Sequence, residues 1–120
     1  MIATQNRIIE GMETNSREAN FYDDGMLRVE YDNYYIAVRG KMVRIQRTEF
    51  LVLSQLVKRS ERYILAEELW DCVWGTQRAF NKLSTRVYVS RLRQLLEPFG
   101  IKIENMPNVG YRFIPYSKSL

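Results

Sequence analysis

The segment RVYVSRLRQLL, residues 86–96, mixes hydrogen-bonding and apolar side chains in an unusual way. Arginine can donate two hydrogen bonds to the edge of guanine, glutamine can pair similarly with adenine, and a small apolar group can contact the methyl group of thymine. A helix would present such residues on one side, namely Arg86, Val87, Ser90, Arg93 and Gln94, with Arg91 at the border. That surface would have the chemistry to read base pairs in a major groove.

The secondary structure of this segment is ambiguous, because VYV favours a strand whereas the leucines after it recur at helical spacing. A helical wheel places the apolar side chains in one sector, and they are Thr85, Tyr88, Val89, Leu92, Leu95, Leu96 and Phe99. A strand would bury arginines with leucines, and a helix separates them. We therefore predict a helix of about fourteen residues, from an N-cap at Ser84 to Glu97. Pro98 and Gly100 should end it.

Charge is distributed unevenly along the chain. The net charge is +4, but residues 76–120 hold eight Lys and Arg against two Asp and Glu, while residues 1–40 hold four against seven. Localised positive charge is typical of a surface that binds a polyanion. Ser84 and Thr85 at the helix N-terminus could also hydrogen-bond phosphates, since the helix dipole favours anions there. On charge alone, a solvated basic surface explains the pattern equally well.

The residues before this helix predict the framework that positions it. Period-two alternation over residues 27–45, which includes Tyr31, Tyr34 and Ile45, indicates an antiparallel meander of three strands with one buried face. YDDG before it should be a turn rather than a metal-binding or phosphoacceptor pair of aspartates. TEFLVLSQLVKRS predicts a first helix with Thr48 as N-cap, and LAEELWDCVWG predicts a second, with Cys72 on its buried side.

After the third helix, IKIEN and VGYRFI alternate on either side of the turn MPNV and predict a β-hairpin. Sheet, three helices and hairpin in this order describe an α+β winged helix-turn-helix over residues 21–116. Residues 117–120 would be a C-terminal tail. Residues 1–20 are expected to be a flexible leader or linker remnant, or to hold one short helix around residues 7–12.

Composition argues against several classes of function. The chain has no histidine, which excludes catalysis by an imidazole. Its single cysteine excludes an internal disulfide and a zinc site built on several thiolates. No phosphate-binding glycine loop is present either, so we predict no enzymatic activity, no cofactor and no metal. No apolar run approaches the roughly 20 residues of a membrane span.

Four short motifs in order carry a family resemblance: TEF in the first helix, VWG in the second, V-Y-V-S-R-L-R in the third and GYRF in the hairpin. From about Leu27 to Ile114, the chain resembles the effector domain of the OmpR/PhoB family of bacterial response regulators. The resemblance implies a four-stranded N-terminal sheet, three helices and a C-terminal wing. It also implies that the third helix enters the major groove of double-stranded DNA and the wing tip the adjacent minor groove.

The resemblance further implies roles for individual residues. The base-reading set is Arg86, Val87, Ser90, Arg91 and Arg93. Phosphate contacts are expected from Trp74, Lys82, Ser84, Thr85, Tyr111 and Arg112, with core packing as the alternative for Trp74 and Tyr111. The wing tip offers Asn105 and Asn108. The loop Gly75–Lys82 resembles the segment with which relatives contact RNA polymerase, through Thr76, Gln77, Arg78 and Phe80, or it is a bare linker.

The sequence departs from many relatives at positions that bear on DNA affinity. Leu65 and Ala66 stand where a serine and an arginine are frequent, Arg86 where an acidic residue is frequent, and Ser90 where a basic one is frequent. The wing tip ENMPN lacks an arginine for the minor groove. Lower affinity or a shifted sequence preference is the resulting hypothesis.

The prediction is therefore a sequence-specific DNA-binding transcriptional regulator of a two-component type, acting in the bacterial cytoplasm at the nucleoid. It should be a monomer in solution that pairs in tandem on DNA, with RNA polymerase as a possible partner. The alternative is a winged-helix protein-interaction module that docks on polymerase or another regulator and binds DNA weakly. No receiver domain is evident in the sequence, so one has been removed or the regulator works without phosphorylation.

Overall fold

The structure, a computed structural model, describes residues 20–116. Its elements are β1 Phe21–Asp23, β2 Leu27–Glu30, β3 Tyr35–Val38, β4 Lys41–Val43, α1 Arg47–Lys58, α2 Ala66–Trp74, α3 Lys82–Leu96, β5 Lys102–Met106 and β6 Gly110–Ile114. This order confirms the predicted α+β winged helix-turn-helix. The helix expected around residues 7–12 and the C-terminal tail lie outside the described residues.

The N-terminal sheet has four antiparallel strands in sequence order, as the resemblance implied, and not the three that alternation alone predicts. The strand that alternation missed is β1, in which Tyr22 pairs with Val29 of β2. Its three residues are too short a run to show a period of two. The inner face of the sheet contributes Leu27, Val29, Ile36 and Val38 to the core.

Three residues predicted to lie in strands lie outside them. Tyr31 and Tyr34 belong to the turn between β2 and β3, where Tyr34 has a positive φ of 55°, and Ile45 follows the end of β4. The sequence between the two tyrosines is Asp-Asn, a pair that favours turns, and this local preference overrides the alternation.

The YDDG segment is the predicted turn. One carboxylate oxygen of Asp24 accepts hydrogen bonds from the backbone N–H groups of Met26 and Leu27, at 2.9 and 2.8 Å. Asp23 accepts one from the N–H of Gly25 at 2.9 Å. The two aspartates therefore cap backbone groups of the predicted turn.

Helix α1 buries the predicted residues Phe50, Leu53, Leu56 and Val57. It begins two residues earlier than predicted, with Gln46 as N-cap in place of Thr48. The N–H of Gln46 donates to the Glu49 carboxylate at 3.1 Å. A glutamate three residues after the cap is the signal that identifies this start.

Helix α2 buries Leu69 and Trp70, and the prediction that Cys72 lies in the core is wrong, because Cys72 is exposed. The indole N–H of Trp70 donates to the carbonyl oxygen of Arg78 at 2.9 Å. This bond allows the large indole to occupy the inward position, which turns Cys72 toward solvent. The Cys72 thiol there accepts a hydrogen bond from Arg59 at 3.7 Å.

Helix α3 resolves the ambiguity of RVYVSRLRQLL in favour of a helix. Thr85, Val89, Leu92 and Leu96 are buried, as the wheel predicts. The N-cap is Asn81 and not Ser84, since the Asn81 side chain accepts from the N–H of Ser84 at 3.0 Å. A 3₁₀ turn, Glu97–Phe99, follows the helix with proline inside it, and Gly100 ends it at a φ of 80°.

The C-terminal hairpin β5–β6 is the predicted wing, in which Ile103 pairs with Phe113. Ile64, between α1 and α2, exchanges two backbone hydrogen bonds with Tyr111, at 2.8 and 2.9 Å. The bridge requires glycine at position 110, because a Cβ there would lie 1.9 Å from the carbonyl oxygen of Ile64. The wing is thus joined to the helical core at its C-terminal strand.

Candidate nucleic-acid interface

The outer face of α3 is open to solvent. Arg86, Val87, Ser90 and Arg91 are all exposed, as is Gln94. Val87 is an exposed large apolar residue, with 39% of its surface accessible, between charged neighbours. The Arg91 guanidinium lies 5.3 Å above the Tyr88 ring. The guanidinium of Arg86 forms no hydrogen bond or ion pair within residues 20–116, so its donors are available to an external partner.

Arg93 occupies a different environment from the other base-reading candidates. It is half-buried, and its Nε donates to the carbonyl oxygen of Ile103 in β5 at 2.8 Å. This bond joins the last turn of α3 to the wing. The structure therefore places Arg93 as a link between the two elements.

The start of α3 holds three residues predicted to contact phosphate. Lys82 is exposed and Ser84 is half-buried, both in the first turn of the helix. Thr85 is fully buried, and its hydroxyl donates to the carbonyl oxygen of Asn81 at 3.2 Å. A phosphate contact by the Thr85 side chain does not fit this placement, because its only polar group already bonds within the helix.

An aromatic cluster fixes the loop between α2 and α3. Trp70 and Trp74 stack with ring centroids 4.3 Å apart, Tyr88 lies 5.6 Å from Trp74, and Phe80 meets Trp70 edge-on at 6.0 Å. Trp74 is half-buried in this cluster. The loop residues predicted to contact polymerase are all exposed, and they are Thr76, Gln77, Arg78 and Phe80.

The middle of the wing contains a paired cation rather than a free one. Nε and a terminal nitrogen of Arg112 donate to the same carboxylate oxygen of Glu104, at 3.2 and 2.5 Å. The Tyr63 hydroxyl donates to that oxygen too, and the guanidinium lies 4.6 Å above the Tyr63 ring. The hydrogen bonds from Arg112 lower the pKa of Glu104 below its usual value. Glu104 thus offsets the positive charge that was predicted to meet phosphate.

Tyr111, the other phosphate candidate of the wing, is buried and belongs to the hydrophobic core. Its exposed edge lines a groove of about 400 Å³ between the wing tip and the starts of α2 and α3. The groove walls include Leu65, Lys82, Arg86 and Met106. Cationic and apolar groups therefore share this surface.

The wing tip is exposed and carries no charge. Asn105, Met106, Pro107 and Asn108 are all open to solvent, and Asn108 turns the chain with a φ of 66°. Met106 keeps 42% of its surface accessible. The tip lacks an arginine, and none of these four side chains supplies a positive charge in its place.

Sequence reasoning overlooked two residues of this surface. Asn81 falls within the predicted loop Gly75–Lys82, although asparagine before an apolar-periodic run is itself an N-cap signal. Met106 is predicted only as part of the turn MPNV, although the sequence places this apolar side chain at the hairpin tip. Both signals were present in the sequence.

No group of three or more acidic, cysteine or histidine residues close enough to hold a metal occurs among residues 20–116. Within the same residues, every helix is too short or too polar to span a membrane.

Comparison with known proteins gives consistent matches. The family described as "Transcriptional regulatory protein, C terminal" matches residues 40–113. The response regulator ArlR of Staphylococcus haemolyticus is 26% identical over 96 residues, covering 78% of this chain and 44% of ArlR. ArlR of Staphylococcus saprophyticus is 28% identical over 105 residues, covering 86% of this chain and 48% of that protein. The chain thus spans about half the length of these relatives.

Among solved structures, the RstA DNA-binding domain of Klebsiella pneumoniae, in complex with the RstA box, has a similar fold. It superposes with a TM-score of 0.70 at 23% identity, covering 79% of this chain and 97% of RstA's. At this identity the likeness concerns the fold.

Proposed function

The chain belongs to the family of transcriptional regulatory protein C-terminal domains, and from this premise we propose that it binds double-stranded DNA in a sequence-specific manner. One observation carries the proposal: α3 buries Val89 and Leu92 completely while it exposes Arg86, Val87 and Ser90 on the opposite side. These exposed side chains can pair with guanine, contact the thymine methyl and accept or donate one further bond.

In this proposal α3 lies in the major groove and the wing at the adjacent minor groove. Arg86, Val87, Ser90 and Arg91 read bases. Arg93 supports the docked geometry through its bond to the wing and reaches DNA only with its remaining donors. Lys82 and Ser84 contact phosphate at the start of α3, where the helix dipole also favours an anion.

The relatives support the proposal by analogy. RstA has been solved in complex with the RstA box, and ArlR is a response regulator. By that analogy, the chain acts in transcription regulation in the bacterial cytoplasm and catalyses no reaction.

Selection from a random duplex pool, with sequencing of the retained duplexes, tests the proposal directly. At near-physiological salt we expect enrichment of a short motif. Binding should weaken steeply with added salt, because each neutralised phosphate releases counterions. Retention without enrichment, or no retention, would contradict sequence-specific binding.

Two further parts of the proposal concern partners. The protein is a monomer in solution, and two copies occupy direct repeats about one helical turn apart. The enriched duplexes should then contain the motif twice at that spacing, and sedimentation should show a monomer without DNA.

The exposed loop between α2 and α3 would face RNA polymerase through Thr76, Gln77, Arg78 and Phe80. Substituting these residues should reduce transcription activation without changing DNA affinity.

A second candidate is a protein-interaction module that docks on polymerase or another regulator and binds DNA weakly. It is favoured by Leu65 and Leu83, which expose 54% and 67% of their surfaces near the starts of α2 and α3. It is also favoured by the uncharged wing tip. The pool selection separates the candidates, since an interaction module would yield no motif.

A further inference from the structure

We propose that the wing acts as an apolar wedge: Met106 inserts between two base pairs from the minor groove, unstacks them and bends the duplex. This inference rests on the proposed DNA binding and adds a contact of a different kind. At the wing tip, where the sequence lacks the arginine of many relatives, Met106 would make an apolar contact with the DNA instead.

The first step concerns charge. The tip residues Asn105, Met106, Pro107 and Asn108 carry none. Arg112, farther along the wing, is held by Glu104, and Lys102 lies at the opposite end of β5 from the tip. The tip therefore has no cationic side chain to insert into the narrow, negatively charged minor groove.

The second step concerns rigidity, since a wedge must hold its shape while it separates stacked bases. The turn closes with a hydrogen bond from the N–H of Val109 to the carbonyl oxygen of Met106, at 2.9 Å. Met106 is also paired with Gly110 in the hairpin register. The body of the wing is anchored through the Ile64–Tyr111 bridge and the bond from Arg93 to Ile103.

The third step concerns the side chain itself. Met106 exposes 42% of its surface to solvent, and the next residue, Pro107, is exposed as well. Burying apolar surface is favourable, and methionine and proline are among the residues that enter base steps from the minor groove. Unstacking is least costly at pyrimidine–purine steps, which are the most flexible. The wedge would therefore select such a step without any hydrogen bond to a base edge.

The test uses the duplex enriched in the pool selection, in versions carrying 2-aminopurine at successive adenines and dyes at the two ends. The wild-type chain should raise 2-aminopurine emission at one position outside the major-groove motif and shorten the distance between the dyes. Met106→Ala should remove both signals and lower affinity by roughly threefold to tenfold, because the apolar contact is lost. Met106→Leu, which restores an apolar side chain, should retain them.

Met42→Ala is the matched control, because Met42 is 72% exposed and lies in β4 of the N-terminal sheet. It should leave emission, bend and affinity unchanged. Specific binding with no unstacked step, or a bend that persists in Met106→Ala, would overturn the wedge while leaving the proposed DNA binding intact. Failure to bind any duplex specifically would overturn both.

Discussion

Helix α3 and the wing are both expected to meet DNA, but they offer it opposite surfaces. On α3, Arg86 is exposed with no hydrogen-bond or ion-pair partner among the described residues, and the exposed Arg91 has its guanidinium over the Tyr88 ring. On the wing, the cation Arg112 is paired with Glu104, and the tip is neutral and partly apolar. The helix can form charged and base-specific contacts, whereas the wing can contribute mainly through its effect on the shape of the DNA.

The difference suggests a division of labour within one small domain. Sequence reading would depend on α3, because bidentate hydrogen bonds discriminate between base pairs. The wing would contribute through its rigid attachment and its effect on DNA shape. Variants that disturb one region and spare the other should therefore change different observables.

The largest expected effect comes from breaking the attachment of the wing. Gly110→Ala would place a Cβ 1.9 Å from the carbonyl oxygen of Ile64, at a φ of 152° that side chains rarely adopt. The backbone on both sides must move, so we expect a loss of about 3 kcal/mol or more in the free energy of unfolding. Denaturant unfolding monitored by tryptophan fluorescence would measure it.

Gly40→Ala is the matched control for strain without a clash. Gly40 also has a positive φ, of 80°, but a Cβ there meets nothing within 4 Å. Its cost should stay near 1 kcal/mol, the usual penalty for a non-glycine residue in this conformation. Equal losses in the two variants would show that the contact with Ile64 does not matter.

The next effect separates structural from reading arginines on α3. Arg93→Ala removes the hydrogen bond to Ile103, at 2.8 Å, and should cost about 1 kcal/mol of stability. Arg86→Ala removes a side chain with no internal partner and should change stability by no more than about 0.5 kcal/mol. Thermal unfolding of both variants checks this, and a stability loss for Arg86→Ala that matches Arg93→Ala would refute the distinction.

The smallest effect concerns the neutralised cation of the wing. Glu104→Gln should free Arg112 for phosphate, raising affinity for any duplex by about twofold to fivefold and steepening the salt dependence by about one contact. Binding titrations at several salt concentrations would show it. An Arg112→Gln, Glu104→Gln double variant should lose the gain, and an affinity unaffected by Glu104→Gln would mean that Arg112 stays away from DNA.

The same pair has a pH signature. Arg112 lowers the pKa of Glu104 in the folded state, so the pair stabilises the fold above the ordinary glutamate pKa. This contribution is lost as the pH falls through the lowered value. The difference in stability between wild type and Glu104→Gln should therefore disappear in acid and be constant near neutral pH.

Much of the fold follows from periodicity in the sequence. The wheel of α3 correctly separated Val89 and Leu92 from Arg86, because a period of 3.6 leaves no other arrangement that buries the leucines alone. The hairpin was equally clear. Element starts were predicted less well, since Asn81 and Ser84 can both cap a helix and only the backbone path selects one.

The candidate site was less predictable than the fold, because partners distant in sequence decide each side chain's role. The pairing of Arg112 with Glu104 and Tyr63 depends on hairpin register and on the turn after α1. The bond from Arg93 to Ile103 depends on how α3 packs against β5. In the same way, the inward position of Trp70, which exposes Cys72, depends on a carbonyl group eight residues later.

The most direct test of the division between helix and wing is to repeat the duplex selection with Arg86→Ala beside the wild type. The account predicts that the wild type enriches a short motif. It predicts that the variant enriches the same motif with the preference relaxed at one base position, by about 1–3 kcal/mol of discrimination. Identical base preferences for the two proteins would contradict the reading role of α3.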